Sequence, residues 1–343
     1  MASVRSIRDR QLSIVAPCFN EEAGVGEFVQ RCKAVADGLG CRYEIVLVND
    51  GSRDGTLAAA LALAVNDPTI RVVNLLRNFG HQAAATAGLD LATGDVIVLI
   101  DSDLQDPPEI IPEMVAKWED GADVAYGQRR TRKGESGIKL VTAGLFYRLL
   151  RRMTKTNIPA DTGDFRLMDR RIVEVLRQMR EHHRFIRGMV SWVGGAQVAV
   201  PYDRKPRFAG ATKYPMTKMI SFALDAITSF SVVPLRLVTY LAMFIIFIAI
   251  LAGATVFVVK LMNPDYFIPG FPSMMITMIF FGGVQLLALG VIGEYIGRMY
   301  EAVKSRPLYL VERVYETSPV PRAVLTPTRI AAASPPAEVA TRH

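Results

Sequence analysis

Along the first 130 residues the apolar positions follow two alternating rhythms. Short apolar runs, LSIVAPC, YEIVLVN, IRVVNLL and DVIVLI, read as strands. The segments between them carry apolar residues three and four apart, which predicts helices over 21–39, 57–67 and 81–93. Repeated strand–helix units imply right-handed crossovers, hence an α/β fold with a mainly parallel sheet and helices on both faces. The sequence contains no internal repeat, no P-loop and no G-x-G-x-x-G.

Each strand run stops abruptly at polar residues. The clearest case is VIVLIDSDLQDPPE (96–109), where a run apolar enough for a buried parallel strand breaks into Asp101, Asp103 and Asp106 before Pro107 and Pro108. In open α/β sheets the carboxyl ends of the strands form the ligand-binding rim. The other runs deliver Asn20, Glu21 and Glu22, then Asn49, Asp50, Gly51, Ser52 and Asp54, then Arg77 and Asn78 to the same rim. Four strand ends that gather polar residues together point to a site rather than to solvation.

The last third of the chain changes character. Residues 237–259 are 23 positions without a charge, about 35 Å as a helix and enough to cross a bilayer core. Residues 273–293 are likewise uncharged, and the short proline-containing turn between the two runs makes them a hairpin. The predicted layout is a catalytic domain over 1–215, an interfacial amphipathic helix over 216–235, a transmembrane hairpin over 236–298 and a tail over 299–343. In the tail a possible edge strand at 307–315 precedes a segment rich in Ala, Pro, Ser and Thr, expected to be disordered. Residues 138–155 read either as a second interfacial helix or as a core-packing helix with a basic outer face. Basic residues outnumber Lys260, alone in the hairpin turn, on the flanking sides, which puts both termini in the cytoplasm. Glu294 and Arg298 are spaced to pair across one helical turn.

Composition agrees. Half the residues are hydrophobic, and the net charge of +7 favours anionic partners such as phosphate groups, acidic lipid or nucleic acid. Cys18, Cys32 and Cys41 have no Cys-x-x-Cys spacing, so neither a disulfide framework nor a thiolate metal site is indicated, and a reducing compartment fits. The apolar segment near the N-terminus is too short for a signal peptide. His182 and His183 are adjacent and lack helical metal-ligand spacing, and His81 reads only as a helix start.

Taken together, PCFNEE, VNDGSRDGT, RNFGHQAAATAGLDLATGD, DSDLQDPPE, GDFRLMDR and the two-span tail resemble the family-2 glycosyltransferases of GT-A fold that act on polyisoprenyl phosphates. The likeness extends to bactoprenol glucosyltransferases and, more distantly, to dolichol-phosphate mannose synthases. It covers about residues 12–310.

The resemblance implies a metal site of Asp101 and Asp103 holding Mg²⁺ or Mn²⁺, with Asp164, Asp103 and Gln105 as candidate catalytic residues. It implies a nucleotide-sugar pocket of Pro17, Phe19, Asn20, Glu21, Asp50, Ser52, Arg77, Asp101 and Arg129, and an acceptor-phosphate site of Arg187, Arg207 and Lys213. A divalent cation suits a sugar diphosphate, whose charge must be neutralised on binding and on departure. Asp50 is chemically suited to accept the imide N–H of uracil, but equally to open an Asx-turn. Arg77 is either a donor contact or a surface charge.

A lipid phosphate has its second pKa near ~6 and is mostly anionic at neutral pH, so Asp164 is expected to orient groups more than to remove a proton. A single inverting displacement then needs no second catalytic carboxylate, unlike glycoside hydrolysis. The implied partners are a nucleotide sugar, undecaprenyl phosphate and the bilayer, not nucleic acid, and the implied assembly is a homotetramer. UDP-glucose is the expected donor; UDP-GlcNAc, a formamido-arabinose or GDP-mannose would need only pocket changes. The expected location is the bacterial cytoplasmic membrane. A processive synthase is disfavoured by the two spans and the lack of Gln-x-x-Arg-Trp, and a non-enzymatic scaffold by the retained acidic motifs.

Overall fold

The computed structural model describes residues 5–65, 67–130, 162–182, 184–203, 233–263 and 270–316. Four strands lie parallel at its centre: β1 (Gln11–Cys18), β2 (Arg42–Asn49), β3 (Ile70–Leu75) and β4 (Val96–Leu99), in the order β4-β1-β2-β3. Between them run α1 (Val25–Leu39), α2 (Thr56–Ala64) and α3 (His81–Leu91). Helix α1 starts later than its apolar spacing suggests because residues 21–24 form a turn, with Gly24 and Val25 N–H groups both donating to the Glu21 carbonyl.

After α4 (Ile111–Glu119) the sheet extends past β4 through β5 (Val124–Arg129), β6 (Thr162–Asp169) and β7 (Gln197–Tyr202). β6 runs antiparallel to both β4 and β5, whereas β7 is parallel to β5. Helices α5 (Arg170–Gln178) and α6 (Ile186–Val193) separate β6 from β7. Asp169 caps α5 by accepting from the Arg171 N–H at 3.0 Å, and it also accepts from Trp118 Nε1 at 2.9 Å.

Alternate strand residues feed two apolar layers. Leu12, Ile14 and Ala16 pack with Phe28 of α1 and Met114 and Trp118 of α4, whereas Val15, Val46 and Val48 pack with Ala84 and Leu89 of α3 and Leu176 and Met189 of α5 and α6. Fully buried on both faces, the central strands need no polar alternation, which is why they read as continuous apolar runs.

Two long helices follow, α7 (Val233–Met262) and α8 (Phe271–Val303), and they touch each other. Within them Val238–Val259 and Phe280–Val303 are long and apolar enough to cross a membrane, and neither stretch is buried against the rest of the protein. Phe244, Phe247, Met278 and Leu286 all lie exposed. Helix α8 continues past the uncharged run through Glu294 and Arg298, whose side chains pair at 2.8 Å one turn apart, as their spacing suggested.

The chain then returns to the sheet as β8 (Val311–Glu316), antiparallel to β3 on the edge opposite β7. The charged side chains of Glu312, Arg313 and Glu316 blunt that edge. The expected interfacial helix over 216–235 lies outside the described residues up to 232, as do the segment 138–155 and the tail beyond 316.

Candidate active site

The strand directions bring all eight strands of the sheet to one rim, β8 by its start at Val311 beside Leu75. β1, β2, β3 and β4 end there, and because β6 opposes β4 (Leu99 beside Arg166), its start at Thr162–Asp164 lies there too. Arg129 at the end of β5 and Tyr202 at the end of β7 are register partners on the same side.

On the β1–β3 side the loops are stitched together by their own polar groups. The Asn20 N–H donates to Ser52 Oγ (3.0 Å) and the Arg53 N–H to Asn20 Oδ1 (2.9 Å), while the Glu21 N–H donates to Thr56 Oγ1 (2.8 Å) and the Gly55 N–H to Glu22 Oε2 (2.9 Å). Asn20 sits at φ 57°, a left-handed conformation that asparagine tolerates. Gly51, at φ 62°, allows the β2 turn to press against the β3 turn: a Cβ there would stand 2.5 Å from Arg77 C and Asn78 N.

Asp50 accepts from the N–H groups of Phe79 (2.7 Å) and Gly80 (2.9 Å) and from Asn78 Nδ2 (3.1 Å). It therefore anchors the turn that opens α3. Burial raises its pKa, against the pull of those N–H bonds. Arg77 stacks its guanidinium 4.1 Å over the Phe79 ring, Pro17 is buried in β1, and Phe19 is exposed at the mouth.

At the end of β4 the turn is pinned by Ser102 Oγ donating to the Pro17 carbonyl at 2.9 Å. Leu104 is buried at φ 60°, an unusual conformation for leucine that turns its neighbours away from the core. Asp103 Oδ1 accepts from the Gln105 N–H at 3.1 Å, and Asp103 and Gln105 both stay partly open. Asp101 Oδ1 is shielded from solvent and lacks a hydrogen-bond partner among the described residues. Burial, with Asp164, Asp106 and Asp103 nearby, pushes the Asp101 carboxyl up to about 6 even though His81 opposes the shift. Such an oxygen is what a cation would satisfy.

Asp164, 5% exposed, is the hub of the other half. Its Oδ2 accepts from Gln82 Nε2 at 2.8 Å and its Oδ1 from Arg187 Nε at 3.1 Å; His81 Nε2 lies 3.5 Å from Oδ2 and 3.3 Å from Asp101 Oδ1. Burial would raise the Asp164 pKa, but Arg187, the His81 bond and Arg166 outweigh it and hold the carboxylate well below its ordinary range. His81 is affected in the opposite sense. Burial disfavours its charge, and Asp164 and Asp101 more than compensate, raising it to about 9. Gln82 is itself fixed, because its Oε1 accepts from the Ile186 N–H at 2.9 Å.

Beside this hub, the Tyr202 hydroxyl donates to the buried Asp106 Oδ1. The Arg129 guanidinium lies against Gly163, where a Cβ would come within 3.0 Å of Nη2.

Of the residues singled out in the sequence, Asp101, Asp103, Gln105 and Asp164 share the rim with the loop residues Asn20, Asp50 and Ser52. Arg187, partly exposed, donates to Asp164 Oδ1 and to the Thr162 carbonyl. Arg207 and Lys213 lie outside the described residues. Sequence reasoning missed His81 and Gln82. The only signal was their place directly after RNFG, at a helix start held by Asp50.

The family model for glycosyl transferase family 2 matches residues 13–177. An uncharacterized glycosyltransferase of Synechocystis sp. is 47% identical over 305 residues, covering 89% of this chain and 96% of its own. The glycosyltransferase YkcC of Bacillus subtilis, also uncharacterized, is 47% identical, with 90% and 95% covered. The bactoprenol glucosyl transferase of Shigella phage SfX is 42% identical over 88% of this chain and 99% of its own. This chain belongs to glycosyltransferase family 2, and it is a glycosyltransferase enzyme.

Proposed function

We propose that the protein transfers one glucose from UDP-glucose to undecaprenyl phosphate, with inversion, at the cytoplasmic face of a bacterial membrane. The observation that carries this reading is topological. Among the described residues, the two outer strands, β7 and β8, are those next in sequence to the apolar helix pair, and β7 ends and β8 begins at the rim that holds Asp101, Asp103 and Asp164. A rim tied at both edges to a membrane hairpin would face the lipid surface, where a phosphate on a buried tail can reach it. The name of the phage relative supports glucose and bactoprenol as the reacting partners.

Asp101 and Asp103 would hold a divalent cation, and Asp101 Oδ1, which accepts no hydrogen bond among the described residues and faces His81 Nε2 at 3.3 Å, fits that use. Among the described residues no group of three His, Cys, Asp or Glu side chains is arranged to hold a metal ion by itself, so diphosphate oxygens and water would complete the shell. When bound, the cation neutralises the diphosphate on binding and as it leaves.

The residues of the chain account for the rest. The Asn20–Ser52 and Asp50–Gly80 loops shape the nucleotide side. Asp164, kept ionised by its cationic neighbours, is a poor base and is suited to stabilising positive charge that develops at the sugar carbon. The acceptor phosphate, mostly ionised near neutral pH with a second pKa of ~6, attacks without needing one.

The test is to incubate membranes carrying the protein with Mg²⁺, undecaprenyl phosphate and each labelled sugar nucleotide, and to identify the lipid product. Glucosyl-phospholipid formed from UDP-glucose is expected. Label entering the lipid only from another nucleotide sugar would displace glucose, and transfer from none would reject the reading.

A further inference from the structure

The strand that follows the apolar hairpin carries an irregularity. Asn74 of β3 lies opposite Arg313, but Leu75 lies opposite Val311, so Glu312 is the extra residue of a β-bulge. Bulges re-aim side chains beside functional sites. Here Glu312 Oε2 accepts a 2.6 Å hydrogen bond from Asn74 Nδ2. Asn74 Oδ1 accepts from Asn49 Nδ2 at 2.7 Å, and Asn49 Oδ1 accepts from the Ser52 N–H at 3.4 Å. Ser52 Oγ then accepts from the Asn20 N–H at 3.0 Å.

We propose that Glu312 is a positioning residue that sets the direction of this hydrogen-bond chain and so holds the Asn49–Ser52 turn in its nucleotide-binding shape. The inference rests on the donor-pocket reading of that rim. A carboxylate only accepts, so Asn74 must offer it Nδ2 and turn Oδ1 toward Asn49. Asn49 is then committed to presenting Oδ1 to Ser52. A donor at position 312 would favour the reverse arrangement, in which Asn49 shows its NH₂ to the Ser52 N–H and two donors face each other. Asn49 and Asn74 are 3% and 6% exposed, so the unmatched amide would be buried. Water at the exposed end can accept in place of Glu312, but it can also donate, so it would not fix the direction.

Neighbouring contacts pin the strand on either side of the bulge. The Tyr309 hydroxyl donates to Asp90 Oδ2 at 2.7 Å, the Leu76 N–H to the Leu310 carbonyl at 2.9 Å, and Arg71 Nε pairs with Glu316 Oε1 at 2.7 Å. The segment leaving the membrane hairpin thus reaches the nucleotide turn through two amides.

The experiment uses the full-length protein in lipid nanodiscs, with three variants. Glu312→Gln keeps an acceptor oxygen, Glu312→Lys offers only donors, and Glu316→Lys weakens the docking of the same strand without touching the amide chain. Glu312→Lys is expected to raise the KM for UDP-glucose and the Kd for UDP with Mg²⁺ about tenfold, the size of a lost buried hydrogen bond. Its kcat is expected to stay within about twofold, because the interaction acts equally on bound substrate and transition state. Glu312→Gln and Glu316→Lys are expected to keep the wild-type KM.

Hydrogen exchange at the Ser52 amide needs no nucleotide, so it separates a failure of this inference from a failure of the donor reading. Exchange is expected to be faster in Glu312→Lys than in the wild type, Glu312→Gln or Glu316→Lys. Unchanged Ser52 exchange in Glu312→Lys, or an equal change in Glu316→Lys, would overturn the proposal.

Discussion

The imidazole Nε2 of His81 lies 3.3 Å from Asp101 Oδ1, at the point where the two halves of the rim meet. The same nitrogen lies 3.5 Å from Asp164 Oδ2, so one side chain separates two carboxylates that would otherwise repel. Replacing His81 with leucine removes the imidazole between them. Transfer is expected to fall roughly 10- to 100-fold, the range of a hydrogen bond to a charged group. Initial rates at saturating donor check this, with circular dichroism to confirm that the variant folds.

Gly51 is a second sensitive position. With a Cβ 2.5 Å from backbone atoms of the β3 turn and φ at 62°, Gly51→Ala is strained both sterically and conformationally. The turn must move, at about 2 kcal/mol or more. A lower melting temperature and weaker UDP binding are expected together; an unchanged melting temperature would show that the two turns do not press against each other.

Stability should also respond to acid through Asp169. Burial would raise its pKa, but bonds from Trp118 and Arg171 lower it below the ordinary carboxylate value. A group with a depressed folded-state pKa stabilises fully above its unfolded value, and the contribution is lost as pH falls through the folded one. Asp169→Asn keeps a capping oxygen and loses the charge. It is expected to cost about 1 kcal/mol at pH 7 in denaturant titrations, with the gap to wild type narrowing in acid. A gap that widens in acid would contradict the assignment.

The central strands were legible because burial on both faces leaves unbroken apolar runs, and the rim loops because each run stops at polar residues. What lay beyond reading depends on partners distant in sequence. TGDFRLMD carries Gly163, two aspartates and Arg166, and nothing local marks it as an interior strand, β6. Its pairing with β4 makes it one and delivers Asp164 to the rim. His81 looked like a helix start because a lone histidine acquires meaning only when Asp101 and Asp164 arrive from other strands. The resemblance implied an acceptor-phosphate role for Arg187, but nothing in the sequence marked its bonds to Asp164 and the Thr162 carbonyl, which lie 23 and 25 residues away. The role of Glu312 required a bulge, which side-chain alternation cannot reveal.

The most direct test of sugar transfer at this acidic rim is the turnover of Asp103→Asn in lipid, measured against wild type with UDP-glucose, undecaprenyl phosphate and Mg²⁺. Turnover is expected to be nearly abolished, by about 100-fold or more, while membrane insertion and folding persist. Turnover at the wild-type rate would contradict the account.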